Sequence, residues 1–167
     1  DGGKEVPLAH QTRILAESPQ VATYDLKPEM SAYELTDKVI EALRTKKYQT
    51  MVLNFANPDM VGHTGSIEAT TKAVEVTVEC VQKVTEVITN ELGGVAIILA
   101  DHGNAEKMRD ENGNLHTAHT TNLVPVIITK KGIEITTGAL CDVAPTLLDL
   151  LDIKKPEAMT GKSLIIK

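Results

Sequence analysis

Val95-Ala96-Ile97-Ile98-Leu99-Ala100-Asp101-His102-Gly103-Asn104 is the stretch on which the fold turns. Six apolar residues in a row, bounded upstream by Gly93-Gly94, have the length of a strand and the composition of one buried on both faces. A second such run, Val124 to Thr129, follows. A third, shorter one precedes it at Met51 to Phe55. Helical patterns lie between and around these runs. Ser31 and Glu34 have capping-box spacing, which predicts a helix to about Lys46 with Leu35, Val39, Ile40 and Leu43 on its apolar face. Ser66 to about Leu92 is a long helical pattern in which Ile67, Val74, Val78, Val81 and Ile88 recur at helical spacings, and Gly93-Gly94 stops it. Asp142 is placed to cap a last helix that tolerates Pro145 in its first turn and ends near Leu151. Strands alternating with helices predict an α/β fold, a mostly parallel sheet with helices on both faces.

In such sheets ligands sit beyond the carboxyl ends of the strands. Two unusual polar groups fall there. Asp59 and His63 follow the strand ending at Phe55, and Asp101 and His102 follow the one ending at Ala100. Asp59 and His63 are four residues apart, so one helical turn would point both the same way. His116 and His119 come just after a hairpin expected over Lys107 to Thr117 around Asn112-Gly113. Carboxylate oxygen and neutral imidazole nitrogen are the mixed ligands that suit zinc or manganese. Two such ions close together would clamp the attacking and leaving oxygens of a phosphoryl transfer. The bland alternative for Asp59 and His63 is a helix cap beside a surface His.

The remaining 167-residue composition narrows the class. Lys plus Arg is 17 against 23 Asp plus Glu, with no basic block, so a nucleic-acid backbone is a poor partner. Three Tyr, one Phe and no Trp leave no platform for stacking bases. No run is long and apolar enough to span a membrane. Cys80 and Cys141 form no CxxC motif; both read as packed thiols, and the pair fits a reducing, cytoplasmic setting. His10 reads as solvated, and Ser18 and Ser163 lack the context of a nucleophile. The chain starts at Asp1 rather than Met, which reads as a processed chain or a piece of a longer one.

Four longer motifs carry a family resemblance. Val21-Ala22-Thr23-Tyr24-Asp25-Leu26-Lys27-Pro28-Glu29-Met30-Ser31-Ala32 resembles the cofactor-independent (2,3-bisphosphoglycerate-independent) phosphoglycerate mutases. So do Leu53 to Gly65, with Asn57-Pro58-Asp59-Met60-Val61-Gly62-His63 at its centre, Ala100 to Glu106, and Thr117-Ala118-His119-Thr120-Thr121-Asn122. Asp142 to Leu151 is similar to a stretch found across the wider alkaline phosphatase superfamily. The likeness covers nearly the whole chain. It implies a three-layer α/β/α alkaline-phosphatase-like domain and the interconversion of 3-phosphoglycerate and 2-phosphoglycerate in glycolysis through a phosphoserine. It also implies two divalent metal ions, manganese or magnesium. By motif, Asp59, His63 and His119 would hold one ion, and Asp101 and His102 would contribute to the other; His116 lies outside the motif and ranks below His119. Leu123 departs from the Pro usual in the family, which should alter a loop and not the ligands.

The same resemblance makes residues 1–167 the C-terminal segment of the phosphatase domain. The nucleophilic Ser, a further metal-binding Asp, a Lys near the metals and the transferase domain would lie upstream of the stretch that begins Asp1-Gly2-Gly3, in a monomeric, cytoplasmic parent. The segment alone is then expected to be inactive. Two other readings stand beside this one: another phosphohydrolase or phosphomutase of the superfamily, such as a phosphatase or phosphopentomutase, and a non-catalytic metal-binding or scaffold module. A sulfatase is disfavoured, since neither Cys begins a Cys-x-Pro-x-Arg pattern.

Overall fold

The computed structural model describes Val6 and residues 8–166; the Asp1-Gly2-Gly3 start lies outside the described residues. These residues fall into two compact units.

The first unit comprises residues up to Gly94 together with His102–Leu123. It is built on three helices: α1 (Ala32–Arg44), α2 (Asn57–Gly62) and α3 (Ile67–Glu86), the last running on into a wider π turn over Val87–Glu91. Helix α1 starts where the sequence predicts, but the capping box does not form. The Ser31 hydroxyl donates instead to the Glu17 carbonyl, tying down the preceding loop. Its buried stripe is Ala32, Thr36, Val39 and Ala42, while Leu35, Ile40 and Leu43 are half-buried at its margins. Helix α3 opens on a genuine cap, with Ser66 Oγ accepting from the Ala69 N–H. Thr70, Thr71 and Thr77 donate their hydroxyls to carbonyls four residues back, so these weak helix formers bury no unsatisfied hydroxyl. The π turn ends at Glu91, and Gly93 follows with a φ of +64° that suits glycine.

The buried face of α3 differs from the one the larger apolar residues suggest. Ala69, Thr70, Ala73, Val76, Cys80 and Val84 are buried, whereas Ile67, Val74 and Val78 are exposed and Val81 and Ile88 are half-buried. Both stripes have helical spacing. Small side chains win because they let backbones approach. Ala69 and Ala73 pack with Val61 of α2, with Tyr24 against them, and Val76 and Cys80 pack with Ala32 of α1, with Phe55 against them. Cys80 is thus the packed thiol expected. Two polar links reinforce the α1–α3 packing: Tyr33 Oη donates to Glu79 (2.9 Å), and Arg44 makes a two-pronged pair with Glu91 (2.7 and 2.9 Å).

Met51 to Phe55 is not a strand of any ladder among the described residues. Its burial alternates between half-buried and exposed, as a strand's would, and Val52 is 90% exposed. Backbone groups make a strand only when a neighbour answers them. The expected hairpin is present in reduced form, with Arg109 bridging Leu115 and the Asp110 carboxylate accepting from the N–H groups of Asn112 and Asn114.

The second unit comprises Val95–Asp101 and Val124 onward. Strands β1 (Ile97–Leu99) and β2 (Val126–Ile128) pair with Ile97 opposite Ile128, and β3 (Glu134–Ile135) pairs with β4 (Ile165–Ile166). The expected alternation of strands and helices is not seen among the described residues: α1, α2 and α3 come in succession before the first strand, and both ladders are antiparallel rather than parallel. The reason is the excursion between β1 and β2. Its arms bridge each other antiparallel at Gly103–Thr120, so the chain comes back along its outward path. Nor are these strands buried on both faces. Leu99 and Ile127 are exposed, since a two-stranded ribbon is too narrow to be covered on both sides.

Helix α4 (Val143–Leu150) is where the sequence places it, but Asp142 does not cap it by side chain. Its carboxylate turns back to accept from the N–H groups of Lys162 (2.8 Å) and Ala139 (2.9 Å), while Thr146 Oγ1 accepts from the N–H of buried Leu164 (2.9 Å). Cys141 is exposed, not packed as expected, because its neighbour is this polar knot; its Sγ lies 3.8 Å from Asp142 Oδ1. The two N–H donors, Lys162 first, hold the Asp142 carboxyl below its ordinary range. A carboxyl lowered by folding stabilises above its unfolded pKa of about 3.9 and ceases to do so as pH falls through the folded value. Asp142→Ala should therefore lower Tm at neutral pH, with the gap to the parent closing below about pH 4. Thermal melts across that range check this, and a pH-independent gap would refute it.

Candidate metal centre

Within the first unit, three of the five candidate ligands meet. Asn57-Pro58-Asp59-Met60-Val61-Gly62 forms the helical turn that the four-residue spacing called for, with His63 as its C-cap. The turn is anchored by Asn57, buried at 2% exposure, whose Nδ2 donates to the Ala73 carbonyl of α3 (3.2 Å). Asp59 and His63 consequently share a face, with Oδ1 and Nε2 3.2 Å apart. His119 arrives from the far arm of the 102–123 segment. Its Nε2 lies 3.0 Å from Asp59 Oδ1 and 3.1 Å from His63 Nε2. These ligand atoms form a nearly equilateral triangle, and all three side chains are a third to a half exposed, so it is open to solvent.

The protonation pattern follows from the neighbours. His63 Nδ1 lies 2.6 Å from the Thr117 carbonyl, which can only accept, so Nδ1 carries a proton and the neutral form of the ring has its lone pair on Nε2. Asp59 Oδ1 also offers lone pairs. With both rings neutral and Asp59 ionised, three acceptor atoms within 3.2 Å of one another need a positive centre between them, a shared proton or a cation. Ligands about 2.0–2.2 Å from a divalent ion stand roughly 3 Å apart, so the triangle has the dimensions for one. The donor set, one carboxylate and two imidazoles with one ring held through its other nitrogen, fits a first-row divalent metal.

The other candidates sort differently. The His102 ring stacks on His119 with centroids 3.7 Å apart, which places it beside the triangle but contributes no atom to it. Asp101 closes the β1 segment of the second unit, where it is exposed. His116 stays in the hairpin with Nδ1 3.1 Å from the Lys107 carbonyl, in keeping with its lower rank. His63 also lines an open concavity with Thr23, Tyr24, Asp25 and Thr64. Sequence reasoning singled out the ligand candidates but missed Asn104, whose Nδ2 donates to Asp59 Oδ1 (2.6 Å), and the Thr117 carbonyl. The Gly-Asn that follows Asp101-His102 was the only available signal for the former; a backbone carbonyl leaves none.

Residues 1–155 match the profile of the metalloenzyme superfamily. The chain belongs to the metalloenzyme superfamily. Among its curated relatives is the 2,3-bisphosphoglycerate-independent phosphoglycerate mutase of Acholeplasma laidlawii (strain PG-8A), 81% identical over the whole of this chain and 33% of the relative. The mutase of the same name from Aster yellows witches'-broom phytoplasma (strain AYWB) is 60% identical over the whole chain and 32% of the relative. Among solved structures, a Leishmania mexicana phosphoglycerate mutase determined at low cobalt concentration superimposes with a TM-score of 0.86 at 33% identity, over 98% of this chain and 33% of that one. The chain thus spans about a third of the length of these relatives, and it has the α/β, alkaline-phosphatase-like fold its motifs imply. Family membership and the Asp59–His63–His119 triangle together point to a divalent metal. Among the described residues no helix is long and apolar enough to cross a membrane.

Proposed function

We propose that this chain is the metal-binding, C-terminal part of the phosphatase domain of a 2,3-bisphosphoglycerate-independent phosphoglycerate mutase. The observation that carries the reading is the convergence of Asp59, His63 and His119 in a chain 81% identical along its whole length to such a mutase. In the whole enzyme these three residues hold one divalent ion, manganese or magnesium, and Asp101 and His102 contribute to a second. The substrates are 3-phosphoglycerate and 2-phosphoglycerate, and the setting is the cytoplasm. The serine that carries the phosphoryl group and the transferase portion that grips the glycerate belong to the other two thirds of a monomeric parent.

The part these residues play follows from their geometry. The Thr117 carbonyl favours the neutral tautomer of His63 with its proton on Nδ1, which leaves Nε2 as the ligating nitrogen. Asp59 adds the negative charge that two neutral imidazoles lack, which favours a dication over a monocation. Openness on one side leaves room for a phosphoryl oxygen. When bound, a divalent metal supplies Lewis-acid stabilisation to the charge on the transferring phosphoryl group.

A segment exchange tests the assignment. Residues 1–167 replace the matching third of the Acholeplasma laidlawii mutase, and the chimera is assayed for interconversion of the two phosphoglycerates with manganese present. Activity within about tenfold of the parent mutase is expected, a loss of no more than about 1.4 kcal/mol in the barrier. A folded chimera without turnover would overturn the reading.

A further inference from the structure

The turn Gly103–Glu106 contains none of the candidate ligands, yet it touches the carriers of two of them. Asn104 is 4% exposed. Its Nδ2 donates to Asp59 Oδ1 at 2.6 Å, the same oxygen that faces His63 and His119. A carboxylate only accepts, so the amide cannot be turned round, and Asn104 Oδ1 must face the other way. There it is buried without a hydrogen-bond partner. It lies against Gly62, where a Cβ would stand 2.6 Å from it. A buried amide with one atom unsatisfied calls for an explanation, because an apolar side chain would fill the space without that cost.

At the other end of the turn, the Glu106 carboxylate accepts from Thr120 Oγ1 and from Asn122 Nδ2 (2.9 Å), and the Gly103 carbonyl accepts from the Thr120 N–H (2.9 Å). Thr120 is the residue after His119. These donors, Thr120 first, hold the Glu106 carboxyl below its ordinary range, so it is ionised and an acceptor at neutral pH.

We propose that Gly103–Glu106 is the positioning element of the metal triad, with Asn104 setting the rotation of the Asp59 carboxylate and Glu106 setting the position of the segment that presents His119. The inference rests on the reading of Asp59, His63 and His119 as metal ligands. Asn104 occupies one lone pair of Oδ1 and leaves another for the cation. As a neutral donor it orients the carboxylate without competing with the metal as a lysine would. Gly62 is a glycine because that amide needs its space.

The test is titration of the chain with Mn2+ by calorimetry, with Tm and the visible absorption of the Co2+ form recorded for each variant. Asn104→Ala and Gly62→Ala should each weaken Mn2+ binding by about 10- to 100-fold, the usual effect of losing a partner that orients a ligand. Gly62→Ala is the sharper variant. Alanine is the better helix former, so the α2 backbone is not weakened and no polar group is removed; only the Asn104 amide is displaced. Glu106→Ala should weaken binding too, and Glu106→Gln, which keeps an acceptor oxygen, should restore most of it. The Co2+ spectrum should shift in Asn104→Ala and Gly62→Ala. Wild-type affinity and an unchanged spectrum in both would overturn the inference, as would losses that merely track Tm. Failure of the unsubstituted chain to bind Mn2+ would instead sink the metal-centre reading beneath it.

Discussion

His119→Ala should lower the Mn2+ affinity of the chain by more than about 100-fold, whereas His116→Ala should change it by less than about twofold. Removing one of three protein ligands costs more than removing a partner that only orients one, and the latter already costs about 10- to 100-fold. His119 Nε2 is an apex of the triangle, 3.0 and 3.1 Å from the other two atoms. The two histidines lie three residues apart on the same arm, so position along the chain does not distinguish them; only geometry does. Asp59→Ala and His63→Ala should match His119→Ala. In the mutase chimera the same three substitutions should remove turnover by at least about 1,000-fold, roughly 4 kcal/mol of barrier, while His116→Ala keeps it. Calorimetric titration and the coupled mutase assay check both halves. Equal affinities for the His119→Ala and His116→Ala chains would refute the site.

The second large effect concerns the core. Val76→Lys should prevent stable folding of the first unit, and Val78→Lys should leave Tm within a few degrees of the parent. Both are valines in the middle of α3. Val76 is 2% exposed among Ala32 and Cys80, while Val78 is 61% exposed. Lysine at 76 must bury an ammonium with no partner or push α1 away, at a cost of about 3 kcal/mol or more, a large share of a domain's 5–15 kcal/mol. At 78 the ammonium stays in water, where single substitutions usually move stability by about 0.5 kcal/mol or less. Circular dichroism melts of the two variants decide it. Comparable melting of both would mean that the Ile67–Val74–Val78 stripe is the packed one.

That contrast marks where sequence reading stops. Helix α3 was legible in existence and extent from its period and its glycine stop, both of which are local. Its orientation was not, because two stripes share the period and the larger residues are the ones left outside. Which stripe is covered depends on what approaches it. Ala69 and Ala73 pack with Val61 of α2, and Val76 and Cys80 with Ala32 of α1. Ser31 and Asp142 teach the same lesson in polar form. Both stand at helix starts, yet both spend their side chains on segments remote in sequence, Glu17 for one and Lys162 for the other.

At the candidate site the division is similar. The spacing of Asp59 and His63 on one helical turn, the motifs around Asp101-His102 and His119, and the family they resemble all follow from the order of residues. Local backbone geometry places groups four residues apart on one face wherever the turn is formed. The meeting of His119 with that face comes from the doubling back of the 102–123 segment, closed at Gly103–Thr120. The antiparallel sense of the β1–β2 ladder reflects the same doubling back. The preferred tautomer of His63 comes from a backbone carbonyl at residue 117, and the Asp59 carboxylate meets an asparagine at 104 that needs a glycine at 62. Chemistry-bearing residue types and short-range spacing belong to the sequence, because they depend on groups within a turn of one another. Distances between groups tens of residues apart, the choice of tautomer and the covered face of a helix belong to the tertiary structure, because packing sets them.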